Sequence, residues 1–148
     1  MSETPTISYP HVYIGSDGHS RIHHCTMKAF TLDSVGPDVA DQWMNKLNEG
    51  IASVTFSVLP VGWVGDWHPN PHPQWVVPLS GRWFVQTQDG TRLEMGPGEV
   101  HFGEDQNCLP DDDGNVGHLS GTVGHEPCVQ MMIALASDPT RDQPCRFS

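Results

Sequence analysis

Between Asp66 and Trp75 the chain sets His68, Asn70, His72 and Gln74 at alternate positions, with Pro69, Pro71 and Pro73 between them. In an extended segment, residues two apart share a face, so all four polar side chains would point one way. Three prolines cannot donate ladder hydrogen bonds, which places the segment at a sheet edge or outside the sheet. Wound as polyproline II, with its repeat of about three residues, the segment loses that shared face and His72 turns toward solvent. Imidazoles suit Zn, Fe, Ni and Cu, whereas neutral amide oxygens are weaker ligands better matched to harder cations. A set of histidines plus Gln74 has no anionic member and would hold a divalent ion less tightly than one with a carboxylate. The same residues equally make a metal-free polar pocket, hydrogen-bonded to each other and to water.

Four tryptophans surround this bend: Trp63, Trp67, Trp75 and Trp83. Large, rigid aromatics with a few polar anchors are how small-molecule cavities are commonly lined, although any one of them also serves as core filling. Glu99, Glu104 and Asp105 are candidates for a general base or for carboxylates that orient a histidine. The adjacent His23 and His24 would face opposite sides of a strand and make a poor chelate. The chain has no Gly-x-Ser-x-Gly elbow, phosphate loop or dinucleotide fingerprint.

The elements that must position these groups are short. Gly (15) and Pro (13) punctuate the 148 residues, which argues for many strands joined by tight turns. Residues 1–11 read as an arm. Pro37, the four-residue recurrence of Val39, Trp43 and Leu47, and Gly50 at the end predict a helix over about 37–49. Ala52, Val54, Phe56 and Val58 then alternate with Ser53, Thr55 and Ser57, predicting a strand with the apolar face buried. Further strands are expected at 63–68, 75–79, 82–87, 91–95 and 99–103, with Asp89-Gly90 as the clearest hairpin turn. Asp111-Asp112-Asp113-Gly114 reads as an acidic exposed loop, and Cys128–Leu135 as a central strand. The expected organisation is one all-β domain of the jelly-roll kind: an arm and helix over 1–50, a barrel over 51–136 and a polar tail over 137–148.

The spacing Gly62, His68, Asn70, Gln74, Gly81 resembles the first signature of the cupin family: Gly, five residues, His, one residue, His, three or four residues, Glu, six residues, Gly. Asn70 and Gln74 stand where that family has its second His and its Glu. The run Trp67-His68-Pro69-Asn70-Pro71 is similar to a subgroup of small cupins in which Gln at the position of Gln74 is usual. Gly98-Glu99, after Pro97, resembles the opening of the second signature. There Glu104 replaces a Pro and Gln106 a Gly, and an acidic insertion delays the expected His to His118, with His101 as the competing assignment. The resemblance implies a single cupin jelly-roll barrel, paired as a homodimer through its sheets. It implies one divalent metal (Fe, Ni, Mn, Zn or Cu) held by His68, Gln74 and His118, with His72 as a further ligand. The metal would serve oxygenation of an enol-like substrate, or lyase or isomerase chemistry beside a carbonyl. Two alternatives stay open: a metal-free binding module anchored by Asn70 and Gln74, and a metal-independent isomerase or cyclase using His68 or His118 as acid–base catalyst.

A formal net charge of −11, with only 7 Lys and Arg, disfavours nucleic acid and anionic membranes as partners and leaves a small molecule as the expected ligand. No apolar run approaches the roughly 18–20 residues of a membrane span. The first residues lack a basic and then apolar secretory pattern, so a cytoplasmic protein is expected. In that setting Cys25, Cys108, Cys128 and Cys145, widely spread and without a CxxC pair, are expected as free thiols.

Overall fold

A computed structural model describes residues 3–148. Its strands are β1 (Ile7–Ile14), β2 (Ser20–Met27), β3 (Thr31–Asp33), β4 (Gln42–Met44), β5 (Ile51–Leu59), β6 (Gln74–Ser80), β7 (Arg82–Thr87), β8 (Arg92–Met95), β9 (His101–Gly103), β10 (His118–Val123) and β11 (Cys128–Leu135). They form a six-stranded sheet in the order β2-β1-β9-β6-β11-β5, a three-stranded sheet β10-β7-β8 and a small hairpin β3-β4. The large sheet is mixed because β1 runs parallel to β9, while its other pairs and all of the three-stranded sheet are antiparallel. The protein is thus all-β, and no helix among the described residues is long and apolar enough to cross a membrane.

The two larger sheets face each other across a core in which Val12, Leu59, Val76 and Cys128 meet Trp83, Val85 and Met95. The opposite face of the large sheet carries a second cluster, Tyr9, Cys25, Met27, Trp75, Phe102 and Leu135. Phe147 and Cys145 from the C-terminal tail, with Phe30 and Leu47, cover that cluster. Beneath the tail lies a buried polar chain. His11 Nε2–H donates to Glu104 Oε1 at 2.9 Å, and the Thr140 hydroxyl donates to the same oxygen at 2.6 Å. The Cys145 amide donates to His11 Nδ1 at 2.9 Å, and Arg146 pairs with Glu104 at 3.4 Å. Each buried charge here has a partner, as burial demands.

Several expectations are corrected. No helix forms at 37–49: Asp38 adopts φ 61°, which a right-handed helix cannot accommodate, and residues 42–44 pair with β3 instead. The repeat of Val39, Trp43 and Leu47 reflects separate contacts, since Val39 is exposed while Leu47 reaches the outer cluster. The expected arm at 1–11 includes the start of β1, which is paired on both sides. The expected strand at 63–68 is reduced to isolated bridges from Val64 and His68. Cys25 and Cys145 form a disulfide, tying β2 to the tail across 120 residues, and only Cys108 and Cys128 are free.

β5 is a strand as expected, but its faces are reversed. Register with β11 places Ser57, Leu59 and Thr55 on the inner side, opposite Gln130, Cys128 and Met132. Val54, Phe56 and Val58 face outward beside Ile133, Met131 and Val129, and they are 52%, 68% and 61% exposed. Alternation identified the strand, but the polar side lines the interior because a cavity lies there.

The disulfide gives the first test. A loop of this length should make Cys145→Ser less stable by about 2–5 kcal/mol in non-reducing denaturation. Adding dithiothreitol should bring the wild type down to the variant's midpoint. Equal midpoints without reductant would show that the tail is held by its other contacts alone.

Candidate functional site

The site is organised by a carboxylate. Asp105 follows β9 and is fully buried, and its two oxygens divide their work. Oδ1 accepts the Asn70 backbone N–H at 2.7 Å and the Asn70 side-chain amide at 2.8 Å. Oδ2 accepts the His118 Nδ1–H at 2.7 Å. Burial works to raise this carboxyl's pKa, but the facing His118 and the Asn70 donors outweigh it and hold Asp105 below the usual carboxylate range. Asn70 is fixed in turn: its Oδ1 accepts from Gln74 Nε2 and its backbone carbonyl from Gln106 Nε2, both at 2.8 Å. A polar chain therefore runs Gln74, Asn70, Asp105, His118.

His118 opens β10, and its backbone exchanges two 3.0 Å hydrogen bonds with that of His68. The two rings lie 4.8 Å apart between centroids. His68 donates its Nδ1–H to the Asp66 carbonyl at 2.7 Å. With Nδ1 committed in both rings, neither Nε2 has a hydrogen-bond partner among the described residues. Glycines permit this approach. At Gly117, φ is 76° and a Cβ would lie 2.2 Å from the His68 carbonyl carbon. At Gly103 a Cβ would lie 2.4 Å from Asn70 Nδ2. Neither position tolerates a side chain without displacing the polar chain.

These groups open onto a cavity of about 190 Å³ between the sheets, lined by His68, His101, His118, Trp63, Trp83 and Gln74 together with Ser57 and Gln130. A shallower groove of about 450 Å³ adjoins it, sharing His68 and Gln74 and adding His72, Thr55 and Pro71. His101 is fully buried on β9, and neither of its ring nitrogens has a partner. Burial, reinforced by the nearby His118, pushes its pKa down to about 3, so it is a neutral imidazole at ordinary pH. Its ring meets that of Trp83 edge to face at 5.3 Å, and the Trp83 indole N–H is likewise buried without an acceptor.

The structure brings together His68, His118, His101, Asn70, Gln74, Trp63 and Trp83. It separates the others. His72 is exposed in the outer groove, as the polyproline alternative implied, because the proline run leaves the inner wall before Gln74 rejoins it in β6. Trp75 points to the far face of the large sheet, stacked against Tyr9, Phe102 and Phe147. Trp67 is half-buried and lines neither cavity. Among the described residues no three His, Cys, Asp or Glu side chains are grouped to hold a metal ion. Gln74 gives its amide nitrogen to Asn70, and Asp105 holds His118 by Nδ1. The Nε2 atoms of His68 and His118 are therefore the ligand atoms the implied divalent centre would use, with no carboxylate beside them. Glu99 lies at the surface near Arg82, and Glu104 belongs to the network under the tail. Asp105 is the one that serves as the expected carboxylate orienting a histidine.

Compared with known proteins, the chain matches no family model and no curated sequence.

His101 yields a pH test. Its folded pKa of about 3 lies below the unfolded value near 6.5, so its stabilisation is complete above 6.5 and is lost as pH falls from there toward 3. Between pH 7 and 5 this costs about 2 kcal/mol. Asp105, lowered in the folded state, contributes only below pH ~4, outside that window. His101→Gln should lose about 2 kcal/mol less than the wild type between pH 7 and 5, measured by urea denaturation. Parallel losses in the two proteins would refute a neutral buried imidazole. A second test concerns Gly117→Ala, which should disrupt the His68–His118 bridge and lower stability by at least ~2 kcal/mol. An unchanged denaturation midpoint would contradict the close backbone approach.

Proposed function

We propose that the protein is a small cupin-type barrel whose cavity binds a carbonyl metabolite and moves a proton beside the carbonyl, as an isomerase or a lyase. The observation that carries this reading is the buried Asp105–His118 pair. A carboxylate that holds Nδ1–H fixes the tautomer and turns the lone pair of Nε2 to the cavity, the arrangement a general base requires. The proton taken up by His118 Nε2 is returned by the same nitrogen to the neighbouring atom, with His68 presenting a second Nε2 lone pair beside it. The family reading is supported by the two facing sheets and by the Gly62-to-Gly81 spacing, which delivers His68 and Gln74 to one cavity. Homodimerisation is supported by the outer face of Val54, Phe56 and Val58, continued by Val129 and Met131. That face bears no ionisable side chain, so two copies of a chain carrying −11 can meet there without opposing charges. Phe56→Glu should then convert a two-chain sedimenting species to one, and an identical sedimentation coefficient would remove the support.

The test of the catalytic reading is exchange of α-protons into D2O, followed by NMR over a panel of small ketones, aldehydes and oxo acids. His118→Ala and Asp105→Asn should each slow the exchange by about 10²–10⁴-fold. Asp105→Asn should do so while leaving ligand affinity within a few-fold, because it disturbs the tautomer and not the cavity wall. Chelator treatment should leave the rate unchanged; loss of exchange with EDTA and recovery with a divalent ion would restore the metal-dependent reading. Saturable binding with no exchange by any panel member would leave a binding module.

A further inference from the structure

The cavity is too small to be the whole of a ligand site. Its volume of about 190 Å³ equals about six waters, whereas small-molecule sites usually measure about 300–1,000 Å³. It is not sealed either. His68, Gln74 and Met132 line both the cavity and the adjoining groove of about 450 Å³, so the two compartments share a wall. A ligand larger than the cavity extends past His68 into the groove.

The groove wall is suited to an apolar group, and the proline run is the reason. A backbone N–H covered by an apolar group would lose its water and stay unpaired. From His68 to Pro71 the wall offers no such free donor. The His68 N–H pairs with the His118 carbonyl, and the Asn70 N–H with Asp105 Oδ1. Pro69 and Pro71 have no N–H at all. The carbonyls of His68 and Asn70 are likewise taken, by the His118 N–H and the Gln106 amide. The apolar part of the lining comes from Pro69, Pro71, Met132 and Ala134. Ser53 and Thr55 complete it from the edge strand β5, where both are exposed and their hydroxyls reach water.

Charge is limited in both compartments. Neither is lined by a Lys or Arg, Asp105 places a buried negative charge behind His118, and the whole chain carries −11. A carboxylate or phosphate would give up its water here and meet no basic side chain. We propose that the site takes an uncharged carbonyl compound of two parts. The carbonyl and the carbon beside it sit in the cavity at His118. An apolar tail, a short alkyl chain or one ring, lies in the groove against Pro69, Pro71 and Met132. This rests on the acid–base reading above for the chemistry at the head, and adds the shape and polarity of the substrate. The tail touches no reacting atom, so the groove residues set specificity and take no part in the proton transfer. Contact made in the groove holds the head against His118 Nε2. The prolines suit that role because their fixed φ leaves the wall little freedom to lose on binding.

The experiment titrates butanone, 2-heptanone and 6-oxoheptanoate into the full chain with EDTA present. The last two have tails of matched length, one ending in a methyl group and the other in a carboxylate. Binding is read from protein labelled with ¹³C at the methionine methyl groups, the Met132 signal being assigned with Met132→Leu. 2-Heptanone should bind at least about tenfold tighter than butanone, the gain from burying two methylenes. It should move the Met132 signal and give a nuclear Overhauser effect from its tail to that methyl group. 6-Oxoheptanoate should bind no tighter than butanone. Thr55→Trp, at an exposed position of the edge strand, should fill the groove and erase the preference for 2-heptanone. The wild-type series stands even where that variant folds poorly. The inference is overturned when butanone and 2-heptanone bind equally, when 6-oxoheptanoate matches 2-heptanone, when the preference survives a folded Thr55→Trp, or when no ketone binds. A preference for 2-heptanone with the Met132 contact but without α-proton exchange upholds the two-part ligand and defeats the acid–base reading. Exchange that needs His118 and runs equally on butanone and 2-heptanone, at equal affinity, does the reverse.

Discussion

Everything at the site depends on the buried carboxylate of Asp105. An isolated ionised carboxylate in a protein interior is costly and would ordinarily be protonated. Here three donors converge on it, two from Asn70 and one from His118, and they keep it charged. The constraint then spreads outward. Asn70 can give both donors only because the proline-flanked bend turns its backbone N–H and its side chain to the same oxygen. Gln74 holds the other end of that amide. His118 can reach Oδ2 only because its backbone is locked to His68 across a gap that Gly117 leaves open. Removing one of these leaves an unpaired polar group in the interior, so the network is retained as a unit or not at all.

Glu104 and Asp105 are neighbours in sequence and belong to opposite sides of the sheet. Just beyond β9, successive side chains point to opposite faces: Glu104 goes to His11, Thr140 and Arg146 beneath the tail, and Asp105 to His118 in the cavity. The two buried charges thus never compete for the same partners. The tail that covers Glu104 is tied to β2 by the Cys25–Cys145 bond. One short segment consequently couples the wall of the cavity to the packing of the C-terminus.

How much of this was legible in the sequence follows from the range of the forces involved. Strands β6, β7, β8 and β11 were readable because turn residues and period-two patterns are local signals. The helix at 37–49 was misread because a four-residue recurrence of apolar residues does not reveal the positive φ at Asp38. β1 escaped notice since its polar member His11 is satisfied by a distant partner, Glu104, 93 residues further along the chain. At the site, the bend with His68, Asn70 and Gln74 was found, and so were His101 and His118 as rivals. That both line one cavity depends on β9 and β10 lying in different sheets, which no spacing encodes. Trp75 shows the same limit from the other side: one position from Gln74, it faces away from the cavity.

The departures Asn70 and Gln74 acquire a physical meaning in this geometry. At face value, two amides in place of an imidazole and a carboxylate are a weakened ligand set. A carboxylate at position 74 would face the buried Asp105 through Asn70 with a second negative charge and no cation nearby. An amide instead supplies the donor that Asn70 Oδ1 requires. An imidazole at position 70 could not offer Asp105 a side-chain donor and accept from position 74 with the compact geometry of an amide. The amides are thus matched to a site whose one negative charge is directed at a histidine. Acid–base chemistry at that histidine needs a lone pair turned to the cavity, and that follows from where Asp105 holds Nδ1.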